Sequence, residues 1–304
     1  MTTSSPRLQR ASGESRVAFD LRDGRTRLGD LYQRDPCRVL FPESEPGEPP
    51  QAVLLTTSGG VTDGDSLKMA VEIGPGATAV ATTQAAEKIY RAAKGGGHCA
   101  IDVAVRVAEG AALDWLPQET IVFEGARLKR RTVAEVEPGG TLLACEMVVL
   151  GRAASGETFT SGLLLDSWSV RRTSRLAWTD TLRVEGQTPS GAGFGAANAL
   201  ATMIGVWDEP QPQFEKARAL LEGAADVRAG VTLVNGVMVA RLLGEATMVR
   251  HAAIRFLTDR LGMVELHAAL EAAAGDVGRH GDQKLVLFTR RQIHRSFPPD
   301  PSRL

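Results

Sequence analysis

The chain has 304 residues, 43% of them apolar and 23% charged, with a formal net charge of −1; that is enough for one large or two ordinary domains with a substantial apolar core, and it excludes disorder throughout. The near-neutral balance argues against a groove for nucleic acid or another polyanion. No stretch nears the roughly 18 apolar residues of a membrane span, and the polar first 16 residues lack a signal-peptide core, so a soluble, cytoplasmic protein is expected.

Residues 1–15 carry Ser, Thr, Arg and Gly without periodicity and read as a loose tail. Residues 16–40 hold short alternating segments, such as Val17, Phe19 and Leu21, that fit strands with one buried face. The stretch 42–50, PESEPGEPP, is too rich in proline for a helix or central strand and reads as a surface linker. From 68 to 150 the pattern is β: residues 69–73, 77–83, 100–107, 131–136 and 141–150 alternate or run apolar with β-branched content. A turn recurs between them, with Gly76, Gly110 and Gly139 each placed after Pro or Glu and just ahead of an apolar run, 34 and 29 residues apart. Such repetition predicts stacked rungs or layered sheets in which each unit buries its apolar face on the next, although Pro-Gly and Glu-Gly turns also recur by chance in β-rich chains.

Residues 163–170 and 176–184 read as two more strands, joined by a basic turn with Arg171, Arg172 and Arg175. The glycine-rich loop 186–195 breaks the pattern. Beyond it, 214–225 has helical spacing, 231–243 carries Asn235-Gly236 as a two-residue hairpin turn, and 246–274 is again helical. A last strand is expected at 284–288. No clean boundary divides the chain. The expectation is therefore one mainly β body over 16–295, layered sheets with a β-helix-like superhelical course and one or two peripheral α-helices, ending in a Pro-rich tail at 296–304.

Catalytic constellations are not found. His98, His251, His267, His280 and His294 never take the H-E-x-x-H or H-x-H spacing that gathers a metal. On one helix His251 and His267 would stand about 24 Å apart, too far to share an ion. Cys37, Cys99 and Cys145 are odd in number and widely spaced, which fits reduced, buried thiols. There is no phosphate-binding G-x-x-x-x-G-K-[ST] loop and no G-x-S-x-G elbow, and the glycines 191, 193 and 195 lack the spacing of a dinucleotide loop. A carbohydrate-active β-helix enzyme working through carboxylates is an alternative, weakened by only four Trp and two Tyr for sugar stacking.

What remains are polar residues in unusual settings. The segment 59–65, GGVTDGD, offers backbone free to take positive φ, followed by the carboxylate of Asp65. The block 84–91 packs amide, acid, cations and phenol into eight residues, which suits either a contact surface or a solvated edge. Trp115, Pro117, Gln118 and Glu119 form a bend that must lie at a strand end, because proline cannot donate to a ladder. Glu119 and Glu146 would be costly if buried alone, so an arginine partner or a polar channel is expected, with Arg127, Lys129, Arg130 and Arg131 at hand.

These segments carry a resemblance to the UreD (also called UreH) family of urease accessory proteins. The family pattern of a Gly-Gly-x-x-Gly-Gly-Asp turn, Gly-x-Gly-Ala, Thr-Thr-x-Ala-x-x-Lys-x-Tyr-Arg and Leu-x-Trp-Leu-Pro-Gln-Glu-Thr-Ile-x-Phe-x-Gly-Ala-Arg is matched at 59–65, 74–77, 82–91 and 113–127, with a further match at 146–157. Asp63 departs from it by replacing a glycine, and the C-terminus lacks the Pro-Arg-x-Trp ending of relatives. The resemblance implies a non-catalytic maturation chaperone that assembles with UreF and the GTPase UreG on apo-urease and assists delivery of nickel, with no tightly bound cofactor. Asp65, Glu119 and Glu146 are then expected on a transient nickel path, since dispersed oxygen ligands release the ion more readily than a His/Cys cage. Gln84, Glu87, Lys88, Tyr90, Arg91, Trp115 and Gln118 are expected at a partner surface. The competing reading is a β-rich scaffold or binding protein unrelated to urease.

Overall fold

The computed structural model describes residues 10–44, 47–152, 155–186 and 193–260, and it is mainly β, with 55% strand and 11% helix in layered sheets that do not close into a barrel. In chain order the elements are β1 (Ser12–Arg22), β2 (Arg25–Arg34), β3 (Cys37–Leu40), β4 (Gln51–Thr56), β5 (Ser66–Ile73), β6 (Thr78–Thr83), β7 (Glu87–Ile89), β8 (Cys99–Val107), β9 (Ala112–Leu116) and β10 (Thr120–Val122). They continue with β11 (Arg127–Val136), β12 (Thr141–Leu150), β13 (Leu163–Arg172), β14 (Arg175–Glu185), β15 (Ala199–Val206), α1 (Gln211–Glu222), β16 (Arg228–Val234), β17 (Val237–Gly244) and α2 (Ala246–Arg260). One sheet has the order β14-β13-β11-β8-β5-β1-β2, and the other β16-β17-β15-β12-β9-β6-β4-β3, extended by β10 and β7.

From β5 to β12 the chain winds as a coil, alternating between the sheets and stacking parallel to itself: β5 to β6, β8 to β9 and β11 to β12 are three rungs. The register pairs Ser66 with Ala100 and Cys99 with Leu128, offsets of 34 and 29 residues that equal the spacings of the recurrent glycines. Gly76, Gly110 and Gly139 turn each rung at φ of +67°, +64° and +70°, a region open to glycine at no steric cost. The turns stack as the strands do, Gly76 N–H donating to the Glu109 carbonyl at 3.0 Å and Gly110 N–H to that of Pro138 at 3.3 Å. Antiparallel hairpins flank the coil. In one of them Asn235 and Gly236, at φ of +50° and +79°, form the expected two-residue turn between β16 and β17.

Burial explains why the strands read differently. The core between the sheets holds Val71, Val105, Leu113, Trp115, Leu142 and Trp168. A second core lies outside the longer sheet, where Leu143, Cys145, Met147 and Met203 pack on Ala217 of α1 and on Val249 and Phe256 of α2. Strand β12 is thus covered on both faces and reads as a continuous apolar run, whereas β8 and β11, bare on one face, alternate. On that bare face Ala70, Ala104 and Val133 floor a groove of about 350 Å³, beside a row in which Arg106 bridges Glu72 and Glu135.

Strand β1 starts at Ser12, so the last residues of the expected tail pair with β5 instead. Helix α1 begins at Gln211, and α2 is described to Arg260; the remainder of 246–274, the strand at 284–288 and the tail at 296–304 lie outside the described residues, as does most of the loop 186–195. Among the described residues no helix is long and apolar enough to cross a membrane.

Candidate functional site

The rungs give the coil a turn end, with the three stacked glycines, and an opposite loop end. The motif-bearing segments 57–65, 84–98, 117–126 and 151–162 all lie at the loop end. Asp65 is buried there, its carboxylate accepting from the main-chain N–H of Ala11 at 2.7 Å and of Thr62 at 2.8 Å. Asp63 is buried too, and accepts from Arg10 at 3.1 Å, Ala93 N–H at 3.0 Å and the Thr62 hydroxyl at 3.2 Å. The acid that departs from the glycine of the pattern therefore ties three segments of chain together.

Residue 61 joins this turn to the polar block, since Val61 bridges Ile89 and exchanges main-chain bonds of 2.8 Å with Lys88 and Tyr90. The Tyr90 hydroxyl donates to the Gly59 carbonyl at 3.0 Å, and its ring meets Phe123 edge-on at 5.0 Å. The Arg152 guanidinium lies 4.8 Å over the opposite partner of that pair, the Phe123 ring. Gly60 takes φ of +137° beneath Tyr90, where an added Cβ would come within 2.4 Å of the ring.

The block sends its side chains both ways. Tyr90 and Arg91 are exposed and Lys88 half-buried, while Glu87 turns inward, takes a bond of 3.3 Å from Thr56 and is pushed up to about 7 by desolvation. Gln84 is half-buried, with its N–H on the Leu54 carbonyl at 2.9 Å. Trp115 and Gln118, expected at a partner surface, are only 1% and 6% exposed. Trp115 belongs to the core between the sheets, and the Gln118 main chain donates to Thr83 at 2.9 Å.

Glu146 stands in that core. Its carboxylate accepts from Trp115 Nε1 at 3.2 Å, Thr132 Oγ1 at 3.2 Å and Trp168 Nε1 at 3.1 Å, and pairs with Arg130 at 3.1 Å. Burial raises its pKa and Arg130 opposes the rise; because all four partners are donors, the ionised form satisfies the set. Arg130 also forks onto Asp166 at 2.9 and 2.6 Å and donates to Thr120 at 3.0 Å. Two carboxylates share one guanidinium, leaving one net negative charge. Beside them a hollow of about 80 Å³ is lined by Glu146, Asp166, Thr202, Asp180 and Arg241 among others, the last two ion-paired.

Glu119 is buried against α2 in an ion pair with Arg250. Asp65, Glu119 and Glu146 are thus placed apart: one at the N-terminal arm, one beneath α2 and one between the sheets. Among the described residues no group of three or more His, Cys, Asp or Glu could hold a metal ion. The three cysteines are free and buried, and desolvation pushes the thiols up, Cys37 to about 11 and Cys99 and Cys145 to about 12.

Sequence reasoning named Arg130 among possible partners of Glu146 but missed Asp166, Phe123 and Arg152. Asp166 left a signal, since it occupies an inward position between Leu164 and Trp168 in β13. Phe123 and Arg152 lie inside the matched segments 113–127 and 146–157, but only the fold brings them to Tyr90.

A family model described as UreD urease accessory protein matches residues 11–272 of the chain. The chain is similar to the urease accessory protein UreD of Magnetococcus marinus, 40% identical over 246 residues that cover 78% of this chain and 84% of that one. It is also similar to UreD of Methylobacterium sp. (strain 4-46), 40% identical over 272 residues, 86% of this chain and 95% of the relative. UreD of Azorhizobium caulinodans is 38% identical over 260 residues, 83% and 94% of the two chains.

Proposed function

The chain belongs to the UreD family of urease accessory proteins, with a role in urease maturation, and from that premise we propose that it binds apo-urease with UreF and the GTPase UreG in the cytoplasm and assists nickel delivery, catalysing no reaction itself. The observation that carries the reading is the gathering of the polar motif loops at one end of a regular coil, where Lys88, Tyr90 and Arg91 reach solvent. A fold needs no such loops to stack its rungs; a docking protein does.

Nickel is the cargo. Glu146 suits a place on its route because it borders the hollow of about 80 Å³ and shares Arg130 with Asp166, which leaves unneutralised oxygen charge there. Oxygen donors without thiolate or imidazole bind such an ion weakly enough to release it. Asp65 and Glu119 serve the route by fixing the loop end, one through main-chain amides and the other through α2.

The test is deletion of the gene in its host, followed by return of wild type or Glu146→Gln, with urease protein, its nickel content and activity measured together. Deletion should leave urease present but poor in nickel and activity, and wild type should restore both. Glu146→Gln should assemble with its partners and load less nickel when the metal is limiting. Urease that holds its full nickel content in the deletion strain would reject the reading.

A further inference from the structure

Charges at the loop end are sorted by sign. Every acid of the motif segments there is already bonded or enclosed: Asp63 and Asp65 are 6% and 7% exposed, and Glu87 is turned inward. Glu124 accepts from the main-chain N–H and the hydroxyl of both Thr160 and Ser161, at 2.5 to 3.1 Å. Glu157 is held by Arg152 at 2.7 Å and by Glu124 N–H at 3.0 Å. The cations face the other way. Arg91, Lys94 and Arg152 are exposed and Lys88 half-buried, and among the described residues Lys88, Arg91 and Lys94 form no ion pair. Lys88, Arg91 and Lys94 are thus cations without an ion-pair partner at this end, beside the Arg152–Glu157 pair and Glu124, whose bonds come from neutral donors.

Aromatic groups are set into that face in fixed positions. Tyr90 is 38% exposed yet pinned by its bond to Gly59 and by Phe123, which Arg152 covers in turn. The same register that pairs Ile121 with Lys88 brings β10 beside β7, and Tyr90 then meets Phe123 one step beyond the paired strands. Tyrosine and arginine dominate the energetic centres of protein interfaces, and groups ordered before binding lose little freedom on docking.

We propose that this basic, aromatic face, formed by Lys88, Tyr90, Arg91, Phe123 and Arg152, docks an acidic segment of a partner protein, an inference that rests on the reading above that the chain works in a complex. The face excludes Glu87, Trp115 and Gln118, which point inward. Unlike charge on the partner would steer its approach and fix its orientation, with an affinity that falls as salt rises.

The test measures binding of the full chain to purified apo-urease and to UreF over a series of salt concentrations. The double variant Lys88→Glu, Arg91→Glu should bind one of them about tenfold more weakly with a flatter salt dependence, while the charge reversal Arg106→Glu on the bare sheet face should change neither. The neutral pair Lys88→Gln, Arg91→Gln should lose less, in the same direction, and unchanged circular dichroism keeps the comparison free of misfolding. Wild-type binding with undiminished binding by both double variants would overturn the docking face alone. Wild type that binds neither protein would overturn the underlying reading and the face with it. Loss confined to a single-stranded oligonucleotide, with protein binding intact, would also overturn it and assign the face to nucleic acid.

Discussion

At the turn end, three connections of four residues each repeat one geometry, with Gly76, Gly110 and Gly139 at nearly the same φ and main-chain bonds from one turn to the next. At the loop end, the connections leading into β5, β8, β11 and β13 run to nine, nine, four and twelve residues, and hardly any two are closed by the same groups. One uses the buried Asp65, another the fork of Arg152 on Glu157, another the four donors around Glu124. The turn end is specified by backbone freedom, which any glycine supplies, and the loop end by particular side chains. Side-chain specificity beyond what stacking requires is concentrated at the loop end.

The largest effect is expected between the two ends. Arg130→Ala leaves Glu146 and Asp166 buried without their shared cation, and unfolding in urea should show a loss of about 3–5 kcal/mol. A loss below 1 kcal/mol would mean that the network holds neither end in place.

The two ends are then compared through one substitution. Gly60→Ala places a methyl group against the Tyr90 ring at φ of +137° and should cost about 2–3 kcal/mol. Gly110→Ala, at φ of +64° with no neighbouring atom within 4 Å, should cost only about 1 kcal/mol. Equal losses would break the distinction between a side-chain-specified and a backbone-specified end.

Glu87 gives a pH-dependent contrast. Its carboxyl lies above the ordinary range, so the folded state holds the proton more tightly than the unfolded one, and stability present below pH 4.5 is lost as pH rises through about 7. Glu87→Gln should match wild type at pH 4.5 and exceed it at pH 8, read from urea midpoints; parallel profiles would show that the carboxyl is solvated. The smallest effect belongs to the bare sheet face, where Arg106→Ala removes two exposed ion pairs and should shift stability by no more than about 0.5 kcal/mol.

Much of the fold was legible because its signals are periodic. The glycine spacings 34 and 29 are the strand offsets themselves, and Asn235-Gly236 names its own turn. The cost of burying an acid left Glu146 either an arginine partner or a polar channel, and the fold supplies Arg130 from the four cations at hand. Less legible was the direction of Trp115. In β9 both faces of the sheet are covered, so Trp115 and Leu116 enter different cores and alternation cannot say which is inner. The split of the block 84–91 into inward Glu87 and outward Lys88 depends on pairing with β10, more than thirty residues away in sequence. The stack of Tyr90, Phe123 and Arg152 depends on three separate rungs, and no local pattern encodes it.

The parallel register of the rungs also sets where the chain can change length. Inserting one residue within β8 would invert the alternation that sends Ile101, Val103 and Val105 inward, exchanging an apolar set for Asp102, Ala104 and Arg106. Added residues between β12 and β13 would instead extend a connection already twelve long without moving a rung, at a closure cost that grows only slowly with length. The loop end can therefore be reshaped by growing or trimming these spans while the coil beneath stays intact.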